Sequence, residues 1–315
     1  MIVNVYKYLY GPVPSRRLGR SLGIDLVPFK TCTYDCIYCQ LGCTTKKTIK
    51  RFPYVPVNDI VNELKIKLAT GDLPDYISLA GSGEPTLHSS IGEIISKIKE
   101  MTDIPVAVLT NGSLLYLPEV QASLMRADLV IPSLDAGDEQ LFHYVNRPHA
   151  DIFFDKMVNG LIEFTHNFPG QVWLEVLLLG GVTGISSEVE KIASIIRRIQ
   201  PARVQLNTAF RPPAEEIAHS LSTDQLLALK SYFPGEVDII NSNEQNEMLI
   251  SDIAATSDED IISLLARRPC TIEDVTNGLG MHPNEVIKRM ERLVTANRVN
   301  CIVTRKRNYY TVVQK

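Results

Sequence analysis

The sequence predicts an α/β protein in which a larger domain of repeated strand–helix units precedes a small, mainly helical domain. Short runs of Val, Ile and Leu alternate with longer segments of helical spacing from residue 22 to about residue 240, and the alternation then stops. The length of 315 residues allows two unequal domains. With 45% hydrophobic and 22% charged residues, the composition excludes a largely disordered chain.

Six candidate strands are brief and aliphatic, as expected for strands that are buried on both faces of a sheet. They are Leu22–Val27, Tyr76–Ala80, Val106–Leu109, Leu129–Ser133, Val172–Leu178 and Val204–Thr208. Helical spacing follows in Asn58–Ala69, Ile91–Met101, Pro118–Met125, Asp151–Thr165, Ser187–Ile199 and Thr223–Tyr232. Ser187 with Glu190, and Ser222 with Gln225, have the offset of a capping box and predict two helix starts.

The repeated βα order indicates a parallel sheet with right-handed crossovers. Residues 1–240 are therefore predicted to form a partial (β/α)6 TIM-like barrel with an N-terminal arm, although a complete barrel or a doubly wound sheet has the same order of elements. In all of these folds the functional loops follow the carboxyl ends of the strands.

The remaining residues predict a linker and a winged-helix domain. Residues 241–256 are polar without a clear period, and residues 257–315 contain three helices and a β-ribbon. These elements are Ser257–Leu265, Thr271–Gly278, Pro283–Ala296 and the strands Val299–Thr304 and Tyr309–Val313, with Arg305-Lys306-Arg307-Asn308 at the tip. Such a domain binds either nucleic acid or a protein partner.

Charge is segregated along the chain, although the net charge is only −4. Residues 1–51 contain nine Lys or Arg and two Asp or Glu, and residues 286–315 contain eight and one. Both ends are therefore basic, either as solvated surface or as contacts to an anionic partner such as a nucleic acid. Six cysteines and the absence of an apolar run near ~20 residues predict a cytoplasmic protein without a membrane segment.

Three cysteines, Cys32, Cys36 and Cys39, follow the first predicted strand at offsets of four and three. Thiolates are the ligands of iron–sulfur clusters, and a short loop can bring three of them to three corners of a [4Fe–4S] cubane. The fourth iron is then open to a chelating small molecule. The alternative is a zinc site completed by Cys43, although zinc sites usually combine two separate pairs of ligands.

The spacing C-x3-C-x-aromatic-C, here with Tyr38 as the aromatic residue, resembles the cluster motif of the radical SAM superfamily. Gly81-Ser82-Gly83-Glu84-Pro85 after the second strand resembles the segment that binds the amino group of S-adenosylmethionine in that family. The resemblance covers residues 20–240. It implies that one electron from the cluster breaks the S–C5′ bond, leaving methionine and a 5′-deoxyadenosyl radical. It also implies a flavodoxin or ferredoxin as electron donor.

The same resemblance implies roles for individual residues. Glu84 and the backbone of Gly83 are expected near the amine of the cofactor, and Tyr38 near its adenine. Further candidates for cofactor binding follow or lie in the later strands: Asn111, Ser133, Asp135 and Glu175. Asn111 is equally suited to forming a turn before Gly112, and a buried Glu175 is costly unless it is paired.

The run from Gly11 to Gly23 and the segment Cys39–Gly42 are similar to a subgroup of wyosine-type tRNA-modifying radical SAM proteins. Its Arg16, Arg17 and Arg20 either contact phosphate or belong to an arm that closes the barrel through pairs with acids. Wyosine synthases carry further cysteines before the cluster motif, and this chain has none before Cys32.

These features predict a radical SAM enzyme that modifies RNA, with tRNA as the expected substrate. One alternative is a radical SAM enzyme that acts on a peptide, protein or small molecule, with the winged helix as a docking module. The other alternative is a redox-sensing DNA-binding regulator that uses the cluster as its signal.

Overall fold

The computed structural model describes residues 6–240, 257–304 and 307–313. Its helices are α1 (Val57–Leu68), α2 (Ile91–Met101), α3 (Pro118–Leu124), α4 (Glu139–Val145), α5 (Phe154–Asn167), α6 (Ser186–Ile199), α7 (Thr223–Lys230), α8 (Asp258–Arg267), α9 (Ile272–Leu279) and α10 (Pro283–Thr295). Its strands are β1 (Leu9–Ser15), β2 (Gly19–Ile24), β3 (Thr31–Cys32), β4 (Lys46–Lys47), β5 (Tyr76–Leu79), β6 (Val106–Thr110), β7 (Leu129–Pro132), β8 (Gln171–Leu177), β9 (Arg203–Asn207), β10 (Val237–Ile239), β11 (Val299–Thr304) and β12 (Arg307–Val312). The predicted linker, residues 241–256, and the tip residues Arg305 and Lys306 lie outside the described residues.

The main sheet has eight strands in the order β1-β2-β5-β6-β7-β8-β9-β10. All neighbours from β2 onward are parallel, and β1 is antiparallel to β2. Spatial order follows chain order without the reversal that defines a doubly wound sheet. The protein is thus a mixed α/β fold whose parallel sheet runs in barrel order, as predicted. Seven parallel strands are present where six were predicted, because β10 was missed.

The core lies between this sheet and the helices that follow its strands. The strand residues Ile77, Leu79, Val106 and Val108 are fully buried, as expected for strands covered on both faces. Helix α2 shows how the outer layer packs. Its four isoleucines, at offsets of three, four and seven from the first, form one fully buried face.

The helix starts test the two predicted capping boxes. Ser222 is the N-cap of α7, and its side chain and that of Gln225 form both bonds of the box, so this prediction is confirmed. The prediction for Ser187 is wrong. Helix α6 begins one residue earlier, with Ile185 at the N-cap and no side-chain cap bond. Helix α5 likewise begins at Phe154 instead of Asp151.

Helices α8 to α10 and the hairpin β11–β12 form a C-terminal module, defined here as residues 257–304 and 307–313. Its three predicted helices and its first strand are confirmed. The second strand begins at Arg307, which pairs with Thr304, so Arg307 and Asn308 belong to the strand and not to the tip. Capping boxes at Ser257 and Thr271 start α8 and α9.

The C-terminal module packs directly on the barrel. Val13 of β1 is buried in the hydrophobic core of the module. Arg267 of α8 forms an ion pair with Asp25, at 2.6 Å, and Tyr309 donates a hydrogen bond to the Phe210 carbonyl at 3.0 Å. The module is therefore anchored at both its helical and its hairpin side. Across the described part of the chain, no helix has the length and apolar character needed to cross a bilayer.

Candidate active site

A cavity of about 440 Å³ lies at the carboxyl ends of the barrel strands, between the cysteine loop, the N-terminal hairpin β1–β2 and the C-terminal module. Six of the predicted site residues line it: Cys32, Cys36, Tyr38, Cys39, Gly83 and Glu175. Glu84, Asn111, Ser133 and Asp135 do not line the cavity, and they contact or neighbour the residues that do. The structure therefore groups the predicted site residues at or next to one cavity.

The cysteine loop leaves the barrel after β2 and is closed by the short parallel pair β3–β4. Within it, Cys39 N donates to Cys36 O at 3.1 Å, which turns the chain so that the second and third cysteines share one side. The loop is also attached to the end of α4. Asp35 N donates to Asn146 O, and Ile37 N donates to Val145 O, each at 3.0 Å.

The three thiols are free and half-buried. Burial, with a contribution from Glu84, raises the pKa of Cys32 to about 12, and burial together with Cys32 and Cys39 raises the pKa of Cys36 well above its usual value. Burial therefore favours the neutral thiol form of Cys32 and Cys36. Metal binding has to displace these protons, because thiolates are the coordinating form.

The donor set of the cysteine loop consists of thiols alone, which are the ligand type of iron–sulfur clusters. No group of three or more His, Cys, Asp or Glu side chains in the described residues is spaced to hold a single metal ion. A cubane takes one thiolate at each of its iron corners, so its ligands need not converge. Cys43 is exposed and is not a lining residue of the cavity.

Each of the three thiols lies within hydrogen-bonding distance of a side-chain nitrogen. Lys30 Nζ lies 3.3 Å from Cys39 Sγ. Asn146 Nδ2 lies 3.5 Å from Cys36 Sγ, and Asn111 Nδ2 lies 3.6 Å from Cys32 Sγ. Donors to ligand sulfurs tune a cluster and orient its ligands. Sequence reasoning missed Lys30 and Asn146, because their only signal is a distance that the fold creates.

Glu84 holds the turn after β5. Its carboxylate is 2% exposed and accepts hydrogen bonds from Thr86 N (3.0 Å), Thr86 Oγ1 (2.5 Å), Thr110 Oγ1 (2.6 Å) and Asn111 N (2.8 Å). Burial raises the pKa of Glu84, although the hydrogen bonds from Thr110 and Thr86 oppose this. Glu84 thereby connects the β5 turn to Asn111, which itself reaches Cys32.

Gly83 allows this turn to approach the cysteine loop. A Cβ at Gly83 would lie 2.0 Å from the Thr31 carbonyl oxygen, and Glu84 N donates to that same oxygen at 3.1 Å. Because glycine has no Cβ, the backbone at Gly83 can approach the backbone at Thr31 this closely. This close approach joins the two motifs that the sequence pattern identified separately.

Asp135 is the centre of a buried polar network behind Tyr38. It accepts hydrogen bonds from the Tyr38 hydroxyl, from Asn146 Nδ2 at 2.8 Å and from Leu177 N at 3.0 Å. Burial raises the pKa of Asp135 to about 6, against the effect of the Tyr38 and Asn146 hydrogen bonds. The network fixes the orientation of the Tyr38 ring on the cavity wall.

Glu175 has partners that the sequence did not identify. Its Oε1 accepts from Arg17 Nη2 at 2.5 Å and from Asn207 Nδ2 at 2.6 Å, so the buried carboxylate is not unpaired. Ser133 faces Glu175 through a backbone bridge between β7 and β8. Arg20 pairs with Asp72 on the surface. Two of the three N-terminal arginines thus pair with acids, which matches the alternative of an arm that closes the barrel.

Comparisons with known proteins agree with this site. The family model of the radical SAM superfamily matches residues 26–196. A protein named UPF0026 protein MJ1312 from Methanocaldococcus jannaschii is 32% identical over 82% of this chain and 82% of its own length. A protein named GTPase Obg from Brachyspira hyodysenteriae is 42% identical over 93% of this chain. The matched region is only 43% of the length of that protein.

Among solved structures, one described as TYW1 with a lysine-pyruvate adduct bound has a TM-score of 0.52 at 17% identity, over 70% of this chain and 74% of the other. At this identity the likeness concerns the fold. The family match covers the cysteine loop and the β5 turn, which both line the cavity. The chain belongs to the radical SAM superfamily, whose members are enzymes that bind a [4Fe–4S] cluster and S-adenosylmethionine.

Proposed function

We propose that this chain holds a [4Fe–4S] cluster on Cys32, Cys36 and Cys39 and acts on a substrate inside the barrel cavity. When bound there, the cluster and S-adenosylmethionine supply a 5′-deoxyadenosyl radical through reductive cleavage of the cofactor. The observation that carries this proposal is that the three thiols share one cavity with the strand ends, and that each has its own nitrogen donor. An electron donor such as flavodoxin or ferredoxin is part of the proposal.

The cofactor-binding roles follow from the same proposal. Tyr38 would face the adenine, and its place on the cavity wall and its anchoring by Asp135 support this role. The Gly83 backbone would face the cofactor amine, whereas Glu84 acts through the turn, because its carboxylate is already hydrogen-bonded within the protein. The remaining candidates are positioned around them: Asn111, Ser133, Asp135 and Glu175.

The test is cleavage of S-adenosylmethionine by anaerobically reconstituted, reduced protein. We expect 5′-deoxyadenosine from the wild type, and Cys32→Ala, Cys36→Ala and Cys39→Ala should each lose both the cluster signal and the product. Cys43→Ala and Cys301→Ala are matched controls, since both thiols are exposed and should leave iron content and product unchanged. Retained iron and product in any of the first three variants would contradict the assignment of ligands.

An RNA substrate, including the tRNA expected from the wyosine-type resemblance, is a second candidate. It is supported by three exposed lysines, Lys46, Lys47 and Lys50, on and after the strand that closes the cysteine loop. The basic residues of α10 support it less than expected. Arg289 and Arg292 both pair with Asp258 inside the C-terminal module.

The salt dependence of tRNA binding tests the RNA substrate. If RNA is bound through phosphates, log affinity should fall with log salt, and the triple change of Lys46, Lys47 and Lys50 to Gln should flatten that slope. Lys97→Gln on α2 is the control, because this lysine is also exposed. A slope near zero for the wild type would reject the RNA substrate and leave radical formation untouched.

The division of the chain into a barrel of residues 1–240 and a winged-helix domain of residues 257–315 is also a proposal. Three helices and a two-stranded hairpin support it. The role that its contacts favour is a wall of the cavity, since Leu264, Arg267 and Arg268 of the C-terminal module are lining residues. A docking module that moves freely would not share its hydrophobic core with Val13 of the barrel.

A further inference from the structure

Five arginines from three parts of the chain line the cavity. Arg16 and Arg17 come from the turn between β1 and β2, and Arg211 follows β9. Arg267 and Arg268 come from the end of α8 in the C-terminal module. The barrel and the C-terminal module therefore both contribute basic side chains to this cavity.

Three of these arginines are neutralised by carboxylates. Arg17 pairs with Glu175 at 2.5 Å, and Arg267 pairs with Asp25 at 2.6 Å. Arg211 pairs with Asp274 at 3.3 Å and also donates to the Pro269 carbonyl. Their side chains are 11–14% exposed, so these pairs are well shielded from water.

Arg16 and Arg268 are different. Among the described residues, neither guanidinium forms an ion pair with a carboxylate, and the Arg268 Nε is buried without a hydrogen-bond partner. Arg16 lies over the ring of Phe210, at 5.2 Å from its centroid. Burial, together with Arg211 and Arg17, lowers the pKa of Arg16 to about 9, and the negative charge of Glu175 opposes this shift only in part.

A buried donor without an acceptor and two buried cations without an ion pair of their own are unfavourable unless an anion completes the site. One carboxylate would balance only one of the two charges. A phosphate monoester carries about −1.5 to −2 near pH 7 and offers several acceptor oxygens to guanidinium groups. The charge that the protein leaves uncompensated therefore fits a phosphate better than a carboxylate.

We propose that Arg16 and Arg268 bind the phosphate group of a phosphorylated substrate, whose reacting part extends toward the cysteine side of the same cavity. This inference rests on the proposed function, because it names the class of substrate for the same site. It also explains why the C-terminal module is packed on the barrel: one of the two phosphate-binding arginines comes from each.

The test measures equilibrium binding of inorganic pyrophosphate to the full chain by isothermal titration calorimetry, without reductant. We expect binding by the wild type and a loss of affinity of about tenfold or more for Arg16→Gln and for Arg268→Gln, since each removes one charge-assisted contact. Arg20→Gln and Arg298→Gln are matched controls. Both arginines are exposed and do not line the cavity, and they should retain the wild-type affinity.

Three results would overturn the proposal. Equal affinities in all four variants would show that pyrophosphate binds elsewhere. Succinate binding as tightly as pyrophosphate, with the same dependence on Arg16 and Arg268, would assign the site to carboxylates. Weaker S-adenosylmethionine binding with unchanged pyrophosphate binding would assign the arginines to the cofactor. If Arg16→Gln does not fold, as judged by its melting curve, Arg16→Lys replaces it and should weaken binding less than Arg268→Gln.

The proposed function is tested separately, because pyrophosphate binding needs neither cluster nor electron. Wild-type protein that binds pyrophosphate but releases no 5′-deoxyadenosine would contradict the proposed chemistry alone. Protein that releases 5′-deoxyadenosine but shows no arginine-dependent pyrophosphate binding would contradict the phosphate site alone.

Discussion

Lys30 is the one charged donor among the three that reach the thiols in the described structure. Its side chain is held by the Gly42 carbonyl as well as by Cys39 Sγ, and the residue is 3% exposed. A cation in a shielded position stabilises the more negative, reduced state of a bound cluster. Lys30 therefore favours the uptake of the electron that cofactor cleavage needs.

We expect Lys30→Met to make the reduction potential of the reconstituted cluster more negative, with little loss of iron, because methionine keeps the aliphatic part of the side chain. Potentiometric titration followed by electron paramagnetic resonance measures the shift. Lys47→Met is the control, since Lys47 is exposed and bonds only to the Arg147 carbonyl in the described part of the chain. The same potential in wild type and Lys30→Met would disprove the effect.

The second prediction at the scale of a single residue concerns the close contact of Gly83 with Thr31. In Gly83→Ala the new methyl group would meet the Thr31 carbonyl oxygen at 2.0 Å, and both partners are backbone. We expect a loss of about 1–3 kcal/mol in the free energy of unfolding, together with lower iron incorporation, because the cysteine loop has to move. Urea titration and iron analysis measure the two effects.

Gly180→Ala is the control for that change, because its nearest neighbour, the Ser220 carbonyl, would be at an ordinary 3.4 Å. Similar losses in both variants would mean that the Gly83 contact is not special.

The sequence could identify the site residues that belong to a local pattern. The three cysteines and the Gly83-Glu84 turn have fixed spacing, so the sequence identified them as candidates, and the structure places the cysteines and Gly83 at one cavity. Asn146 could not be found in this way, since it lies 110 residues from Cys36 and only the fold brings its amide to the thiol. Glu175 was found, but its partner Arg17, 158 residues away, was not.

At the scale of elements, the two predicted capping boxes give a paired test. Ser222→Ala removes both the cap bond to Gln225 N and the box at the start of α7, so we expect a loss of about 1 kcal/mol in unfolding free energy. Ser187→Ala should change it by less than about 0.5 kcal/mol, because this serine is inside α6 and caps nothing. Urea unfolding of both variants compares them directly, and equal losses would contradict the assignment.

The difference between these two serines shows what limits prediction of elements. The same three-residue offset occurs at both sites, and only the backbone at Ile185 decides that α6 starts earlier. Strand β1 was missed because Gly11, Pro12 and Pro14 disfavour a strand, and it is tolerated at the edge of the sheet. Strand β10, Val237–Ile239, is too short for a pattern.

At the scale of the whole molecule, the sequence predicted two domains but not their joint cavity. The contacts between them join distant residues, such as Arg267 with Asp25 and Tyr309 with Phe210. No periodicity encodes such pairs. The charge segregation was visible in the sequence, yet the fold turns part of the basic N-terminus inward, where Arg16 and Arg17 line the cavity.

The ion pair between Arg211 of the barrel and Asp274 of the C-terminal module makes the stability of the folded protein pH-dependent. Burial alone would raise the pKa of Asp274, but Arg211, Arg268 and the Thr271 hydrogen bonds outweigh it and hold the pKa below the ordinary 3.8. The folded state therefore binds fewer protons than the unfolded state around this pH. The stabilisation is fully present above pH ~4 and is lost as the pH falls through the lower, folded-state pKa.

We expect Asp274→Asn to lower the free energy of unfolding by about 1–3 kcal/mol at pH 7, because Arg211 loses its carboxylate in a shielded place. Asparagine retains an oxygen that can accept the cap bond from Thr271, so the helix start should persist. At pH 3, below the ordinary pKa of 3.8, the unfolded-state carboxylate is largely protonated, so part of this stabilisation is lost and the difference between the two proteins should shrink. Glu236→Gln, which breaks an exposed pair with Arg203, is the control and should differ from wild type by less than about 1 kcal/mol at either pH. A deficit of Asp274→Asn that is as large at pH 3 as at pH 7 would show that shape, and not the charge of Asp274, holds the C-terminal module on the barrel.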